Sequence, residues 1–186
     1  MMPYSVTNML GSEPVALEEI QERLHVLPGN ADEAQYTLTP MITAAREYCE
    51  SRAGYAFVRQ RITAWPTPED IAAGTFYLPR PPIAEVENVT AYSRDGSSLE
   101  LTDYQVAEDG RMALSVPDAS ALRRMDPVAV TYIAGAETCP EMARQAMMLL
   151  IGHWYQNRES VQTGAVTAVE IAQTTDAILK QYKRWW

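Results

Sequence analysis

His153 and the polar residues that follow it are the side chains of this sequence best suited to chemistry. Asn157 and Glu159 lie within two helical turns of it, so one helix end would combine an imidazole, an amide and a carboxylate. Such groups can serve a hydrolase as general base and orienting partners. The chain has no G-x-S-x-G segment, no Walker sequence and no other nucleophile motif. A histidine beside an apolar run is more often a packing residue, and we therefore predict no catalytic residues and no enzyme.

Residues that bind metals are sparse. The chain contains two cysteines, Cys49 and Cys139, and two histidines, which are too few for a disulfide framework or a recognisable zinc site. Two adjacent acidic pairs do not have the spacing of a calcium loop, and exposed helix charges are the commoner role for them. These pairs are Glu18-Glu19 and Asp32-Glu33. We expect reduced cysteines, no metal and no cofactor.

Three short motifs suit recognition by another molecule. The segment Pro79-Arg80-Pro81-Pro82 could be a polyproline ligand, but prolines between two strand-like segments more often set an extended entry and protect a sheet edge. Arg123-Arg124 is a basic pair in an acidic chain, either a solvated loop or a contact to a neighbour's acidic surface. Trp185-Trp186 follows a chain that has already supplied a core, and exposed indoles commonly anchor contacts. The alternative is that Trp185 folds back onto the protein's own helices.

Length and charge restrict the classes of function. A chain of 186 residues with 47% apolar residues is long enough for one globular domain with a sizeable core. Its net charge of −9 disfavours stable binding to a phosphate backbone. No basic leader and no apolar stretch long enough to span a membrane is present. We expect a soluble protein that is made in a cytoplasm.

Apolar spacing predicts two helices in the first part of the chain. The first contains Leu17 to Leu27 and stops at Pro28-Gly29-Asn30. The second ends at Gly54, where a left-handed cap is easiest. Its start is open, because Thr39 could cap a helix that begins at Pro40, or a helix that begins after Asp32 could be kinked at Pro40.

Two further helices are predicted near the end of the chain. Cys139 to Glu159 has Pro140 at a first helical position, a negative charge in the first turn and an apolar run that covers every side of the helix. Thr167 to Glu170 fits a capping box that opens the last helix. One apolar face of that helix consists of Ile171, Thr175, Ile178, Tyr182 and Trp185.

The middle of the chain has the alternation of β-strands. Tyr55 to Trp65 alternates at a period of two, and Val128 to Ile133 is a continuous β-branched and aromatic run. Asp95-Gly96 and Asp109-Gly110 are turn signals that predict two hairpins between Val86 and Val116, most simply as a meander. The order is helix, helix, sheet, helix, helix. The predicted class is therefore α+β, with about four helices and a β meander or small sheet inserted between the second and third.

The segment LLIGHWYQNRE (Leu149 to Glu159) resembles the signature helix of head-tail connector (adaptor) proteins of tailed bacteriophages. Three further segments match that family in the same order, namely ITAAREYCESRAG, LPRPPIAEVENVTAY and VAVTYIAG. The similarity covers roughly Leu17 to Val161, with a weaker match beyond it. The resemblance favours the longer second helix, and it implies a single connector domain over 1–186. Its segments would be helical residues 14–54, a β insertion at 55–135, the signature helix at 139–160 and a C-terminal portal-docking helix at 167–186.

The resemblance implies a structural protein of the virion neck that is assembled in the host cytoplasm. We expect a homo-oligomeric ring of twelve copies beneath the portal, which extends the DNA channel and offers a tail-attachment platform. Its partners would be the portal protein, neighbouring copies and the next neck or tail protein (stopper or tail terminator), with DNA only passing through and no membrane contact. An acidic chain suits a channel wall that must not hold DNA.

The residues expected at the portal or ring interface come from two helix ends. They are His153, Trp154, Tyr155, Asn157, Arg158, Tyr182, Lys183, Arg184, Trp185 and Trp186. A head-closure or tail-completion ring protein is an alternative within virion structure. A small hydrolase or ligand-binding α+β domain that uses His153, Glu159 and the loop from Asp118 to Asp126 is an alternative from another class.

Overall fold

The computed structural model describes residues 2–26, 31–93, 96–115, 125–157 and 173–183. Its contacts divide the chain into two compact units. The sheet unit contains Met1–Gly11 and Val58–Glu137, and the helical unit contains Ser12–Phe57 and Thr138–Trp186. The fold is α+β, as the sequence predicts, with most of the β segment between the second and third long helices.

The elements follow each other in the order β1 (Tyr4–Met9), α1 (Leu17–Arg23), α2 (Ala31–Glu33), a π-helical segment (Ala34–Leu38), α3 (Thr39–Ala53), β2 (Gln60–Ala64), α4 (Pro68–Ala73), β3 (Thr75–Tyr77), β4 (Ile83–Ser93), β5 (Ser98–Glu100), β6 (Tyr104–Val106), β7 (Arg111–Leu114), β8 (Met125–Ala134) and α5 (Glu141–Gln156). Residues 173–179 are also helical and are called α6 here. No helix among the described residues is long and apolar enough to cross a membrane.

The second predicted helix has the longer form, but it begins at Ala31 and contains a π-helical segment before Pro40. The Thr39 amide donates to the Ala34 carbonyl, and the Thr39 hydroxyl donates to the same oxygen at 3.0 Å. A wider turn is favourable here because a proline has no N–H to donate and its ring crowds the carbonyl four residues earlier. Gly54 ends the helix in the left-handed conformation, with φ of 64°, which confirms the predicted cap.

The core of the helical unit is built mainly by α3 and α5. Pro140 is the N-cap of α5 rather than its first helical residue, because its ψ of 137° is extended, and its carbonyl accepts from the Arg144 amide at 3.0 Å. The buried side chains of α5 cover more than one side, as the apolar run predicts. They are Ala143, Ala146, Met147, Met148, Leu150 and Ile151. They join Ile42, Ala45 and Cys49 of α3 in one apolar cluster.

The strands form two sheets in place of the single meander that the sequence suggests. The first sheet has the order β1-β2-β8-β4-β5, and the second has the order β3-β7-β6. The two predicted hairpins exist as β4 with β5 and β6 with β7, but they lie in different sheets. The ten-residue β8 pairs with both β2 and β4 and so separates strands that are neighbours in sequence. Turn signals locate hairpins but carry no information on which distant strand pairs with which.

Two short elements of the sheet unit are absent from the sequence-based prediction. The strand β1 pairs with β2 at the edge of the larger sheet. The helix α4 begins with a capping box, in which the Thr67 hydroxyl accepts from the Asp70 amide at 3.2 Å and the Asp70 carboxylate accepts from the Thr67 amide at 2.9 Å. The Thr-x-x-Asp spacing is the sequence signal that could have located this helix.

The Pro-rich segment lies between β3 and β4, where the structural interpretation of the sequence placed it. The Tyr132 hydroxyl donates to the Pro79 carbonyl at 2.7 Å, and the Arg80 Nε donates to the Tyr4 hydroxyl at 3.0 Å. Arg80 also lies over the Tyr4 ring, 5.4 Å from its centroid. These contacts fix the beginning of β1 to the entry of β4. The segment therefore contributes to the sheet unit's own structure.

Candidate assembly surfaces

The end of α5 contains four of the predicted interface residues, His153, Trp154, Tyr155 and Asn157, all half-buried. The Asn157 side-chain amide donates to Nδ1 of His153 at 3.0 Å and to the His153 carbonyl at 2.8 Å. The pair closes the end of the helix, where carbonyl groups lack partners within the helix.

Trp154 connects this surface to the core of the helical unit. Its ring meets Tyr48 edge to face, with 6.3 Å between the centroids and an interplanar angle of 89°. Both Trp154 and Tyr155 pack against the apolar cluster of the unit while they retain exposed surface. Aromatic side chains held in this way are rigid before any partner arrives, which lowers the entropy cost of binding.

Two of the predicted interface residues near the C-terminus, Tyr182 and Lys183, lie in the described part of the chain and have different environments. Tyr182 packs on its own unit, with its ring centroid 5.7 Å from that of Tyr55 and 5.2 Å from that of Phe57. Burial raises the pKa of the Tyr182 hydroxyl. Lys183 is exposed. Arg158, Arg184, Trp185 and Trp186 lie outside the described residues, as do Glu159, Arg123-Arg124 and the loop from 118 to 124.

The face of α6 that the sequence predicts as apolar is partly used within the helical unit. Thr175 and Leu179 are buried. On another side of the helix Asp176 accepts from Arg52, with Nε to Oδ1 at 2.9 Å and a second contact from Nη2 to Oδ2. The helix is therefore attached to α3 by an ion pair, and its Leu179 joins the apolar cluster of the helical unit. Leu179 is a buried residue that the predicted stripe did not include.

A buried ionic network in the helical unit was not predicted. The Arg46 Nε donates to Glu13 at 2.9 Å, and its Nη1 donates to Glu50 at 3.0 Å. The other carboxylate oxygen of Glu50 accepts from the Phe57 amide at 3.0 Å. Burial alone would lower the pKa of Arg46, but the charges of Glu50 and Glu13 outweigh it and raise that pKa. The network joins α3 to the segment before α1 and to the segment that follows α3.

The acidic groups do not assemble a metal site in the part of the chain that is described. No group of three or more histidine, cysteine, aspartate or glutamate side chains lies close enough to hold an ion there. Glu19, one of the acidic residues considered in the sequence, accepts from Arg144 at 2.7 Å. Arg144 also bonds Glu141 at 3.0 Å. Glu19 therefore forms an ion pair that joins α1 to α5.

Both cysteines are free thiols with raised pKa values. Burial, with smaller contributions from Cys139 and Glu50, raises the pKa of the Cys49 thiol to about 12. Burial, followed by the charges of Glu50 and Glu141, raises the pKa of Cys139 to about 11. Only the thiolate is nucleophilic, so the folded protein holds both groups in their unreactive form at neutral pH.

We expect Cys139 to react with iodoacetamide at pH 8 about a hundredfold more slowly in the folded protein than in urea, because its thiolate fraction falls by that factor. The unfolded state loses these protons at lower pH than the folded state, so the stability they contribute is present below pH 9 and declines as pH rises through 11 to 12. Mass spectrometry of time points measures the labelling. Equal rates in both states would contradict the assigned burial of the thiol.

Comparisons with known proteins agree with this fold. A chain of the virion of a native gene transfer agent particle has a TM-score of 0.74 at 17% identity. The match covers 98% of the present chain and 96% of the virion chain. A chain of the neck of an empty particle, computed with C6 symmetry, has a TM-score of 0.70 at 15% identity over 100% and 97%. A chain of the neck of a native particle, computed with C12 symmetry, has 0.69 at 17% identity over 100% and 96%. No curated protein matches this chain.

The fold is therefore shared along the whole length of this chain with chains of gene transfer agent particles. The family model described as "Head completion protein" matches residues 19–185. The chain therefore belongs to the head completion protein family. This membership and the fold confirm the resemblance to head-tail connectors.

Proposed function

We propose that this protein forms a ring adaptor in the virion neck, docked beneath the portal, where it extends the DNA channel and presents a platform to the tail-side protein. The observation that carries the proposal is the likeness of the complete fold to neck chains, one of them from a neck computed with C12 symmetry. A ring of twelve copies needs heterologous contacts between neighbours. Head completion proteins as a family fit this location.

The charge of the chain supports a role as a channel wall. With a net charge of −9, the protein repels the DNA backbone over most of its surface. Among the described residues, five of the eight arginines form ion pairs with carboxylates, as with Arg61 and Glu87 at 2.6 Å or Arg59 and Glu137 at 2.9 Å. These pairs favour passage of DNA without binding, because a paired arginine is less available to replace the counterions of DNA.

The portal contact is proposed to lie at the end of the chain and at the end of α5. Tyr182 and the Arg52–Asp176 pair attach α6 to the helical unit, so the residues that follow leave from a fixed point. Those residues supply a positive charge and two indoles, an anchor composition typical of interface hot spots. Lys183 and Arg184 favour a partner groove with an acidic rim. His153 to Asn157 offers a second surface of half-buried polar and aromatic groups.

A head-closure or tail-completion ring is the second candidate, and the family description favours it enough to be tested beside the first. The two differ in position, because an adaptor contacts the portal directly. The hydrolase alternative has no supporting observation in the described residues.

Deleting Arg184 to Trp186 is expected to reduce attachment to portal-bearing heads at least about thirtyfold, since two aromatic anchors contribute 2 kcal/mol or more. Because Tyr182 and Lys183 remain, the thermal unfolding temperature should not change. Electron microscopy of purified heads counts the attached rings and reports their symmetry. Met142→Ala is the control, since it removes an exposed apolar side chain at the other end of α5. Attachment of the truncated chain at the level of the unaltered protein would move the docking surface to the His153 end, and an absence of rings beneath the portal would overturn the adaptor function.

A further inference from the structure

The outer strands of the larger sheet are β1 and β5, and no further strand of the described residues pairs with either of them. The described residues include eight large apolar side chains that are exposed, and five of them lie on or beside these edges. They are Val6, Met9 and Leu10 at one edge and Tyr92 and Leu99 at the other. The six residues of β1 include no charge and no proline. Open edges in soluble proteins usually carry such residues to prevent pairing with another chain, so β1 has the composition of an edge that is covered in the assembly.

The register of β1 shows that its apolar residues extend the buried face of the sheet. Val6 lies opposite Ile62 and Met9 lies opposite Gln60, and both partners are buried. A bulge between Val6 and Asn8 adds one residue, and this keeps Met9 on the same face as Val6. Without the bulge the alternation of strand side chains would place Met9 on the opposite face.

The opposite edge continues the same face. Leu99 of β5 lies opposite Ala91 of β4, which in turn lies opposite Val128 of β8, and both of these partners are buried. Val128 and Tyr132 are four residues apart on β8, so their side chains lie on the same face of the sheet. Tyr132 is also the partner of Ile62 of β2. Val6 and Leu99 therefore mark the two uncovered ends of one apolar face, at 43% and 47% exposure.

Strand direction makes the two edges compatible with each other. All four pairings in this sheet are antiparallel, so with five strands β1 and β5 run in the same direction. If the ring axis runs roughly along the strands, the rotation that relates one copy to the next leaves the strand direction unchanged. The β5 edge of one copy can therefore meet the β1 edge of the next in a parallel pair that continues the apolar face, and the same contact repeats around a closed ring.

We propose that neighbouring copies join by pairing β5 of one copy with β1 of the next. This inference rests on the proposed ring function and names its subunit contact. The contact brings no two charged residues of these strands together, because Glu100 is the one charged residue of β5 and β1 has none. The β1 edge is also preorganised, since the amides of Leu10 and Gly11 both donate to the Arg59 carbonyl, at 2.8 and 3.1 Å.

A cysteine pair tests the contact in assembled necks. Ser5 and Ser98 are exposed and lie on the face opposite Val6 and Leu99. The variant that carries both Ser5→Cys and Ser98→Cys is expected to give a ladder of covalent species up to the closed ring, by disulfide formation or with a short bismaleimide. Each single variant should give no linked species, because β1 meets β5 and not another β1. A mixture of the two single variants should stop at dimers, and unaltered protein controls for Cys49 and Cys139.

A charge substitution provides a second measurement. Val6→Lys should lower the fraction of heads that carry a ring at least about tenfold, because the ammonium group would be buried in the contact between β5 and β1. Tyr36→Lys is the matched control, since Tyr36 is 72% exposed and lies outside the sheet unit. Rings that form normally but show no ladder in the double cysteine variant would overturn the edge contact and leave the ring function standing. An absence of rings in unaltered necks would overturn both.

Discussion

Replacement of Glu50 by alanine is expected to lower the free energy of unfolding by about 3–5 kcal/mol, because it removes one partner from a buried ion pair. Glu50 has no exposed surface and accepts from the Arg46 guanidinium and from the Phe57 amide, each at 3.0 Å. The variant would leave both donors buried with one bond fewer. Urea unfolding followed by circular dichroism measures the difference, and the loss should appear in the helical unit.

Two variants of the same network act as controls for Glu50. Glu47 lies 3.6 Å from the same guanidinium, but its side chain is 64% exposed, so Glu47→Ala should cost less than about 0.5 kcal/mol. Glu50→Gln keeps an acceptor for the Phe57 amide and should cost less than Glu50→Ala. If the Glu47 and Glu50 alanine variants had equal stability, burial would not be the source of the effect.

Replacement of Gly135 by alanine is expected to lower the free energy of unfolding by about 2–6 kcal/mol, the sum of backbone strain and overpacking. Its φ is 112°, and an added Cβ would lie 2.1 Å from the Val58 carbonyl oxygen and 2.5 Å from the carbonyl carbon. These atoms belong to the backbone and cannot move aside as a flexible side chain can. The Gly135 amide also donates to the Pro82 carbonyl at 2.8 Å, so the residue lies where three parts of the sheet unit meet. Thermal unfolding of the variant provides the measurement.

Gly54 provides the matched comparison for Gly135. It also has positive φ, at 64°, but a Cβ added there would meet nothing within 4 Å. Gly54→Ala should therefore cost only the strain of the left-handed conformation, about 1–2 kcal/mol. A similar loss in both variants would mean that the close approach of Val58 does not determine the requirement for glycine at 135.

Periodicity predicted the elements whose side chains have one consistent environment. Val128 to Ile133 and the run from Ala146 to Ile151 were located correctly because most of their side chains are buried. The strand β1 could not be predicted, because an edge strand with five exposed residues has no alternation to detect, and its bulge interrupts any that exists. The pairing order of the sheet was also inaccessible, since β8 inserts between strands from earlier parts of the chain.

The contacts that hold the candidate surfaces could be predicted only where the two residues of a contact are close in sequence. The contact of His153 with Asn157 follows from a spacing of one helical turn. The contact of Tyr182 with Phe57 depends on the packing of α6 against distant residues, and no local pattern reports it. Glu13 likewise pairs with Arg46 across a turn and a helix. The sequence therefore located the reactive-looking residues but not the ion pairs and ring contacts that fix them.

The sheet unit interrupts the helical unit in sequence, and this order has a consequence for synthesis on the ribosome. All residues of the sheet unit have been translated once Glu137 is added, whereas α3 must wait for α5 before its apolar side is covered. At roughly 5–20 residues per second, several seconds separate Ala53 from Glu141. During that time Ile42 and Cys49 of the nascent chain have no α5 to pack against. The sheet unit thus has all of its residues at a stage of synthesis when the helical unit still lacks a large part of its core.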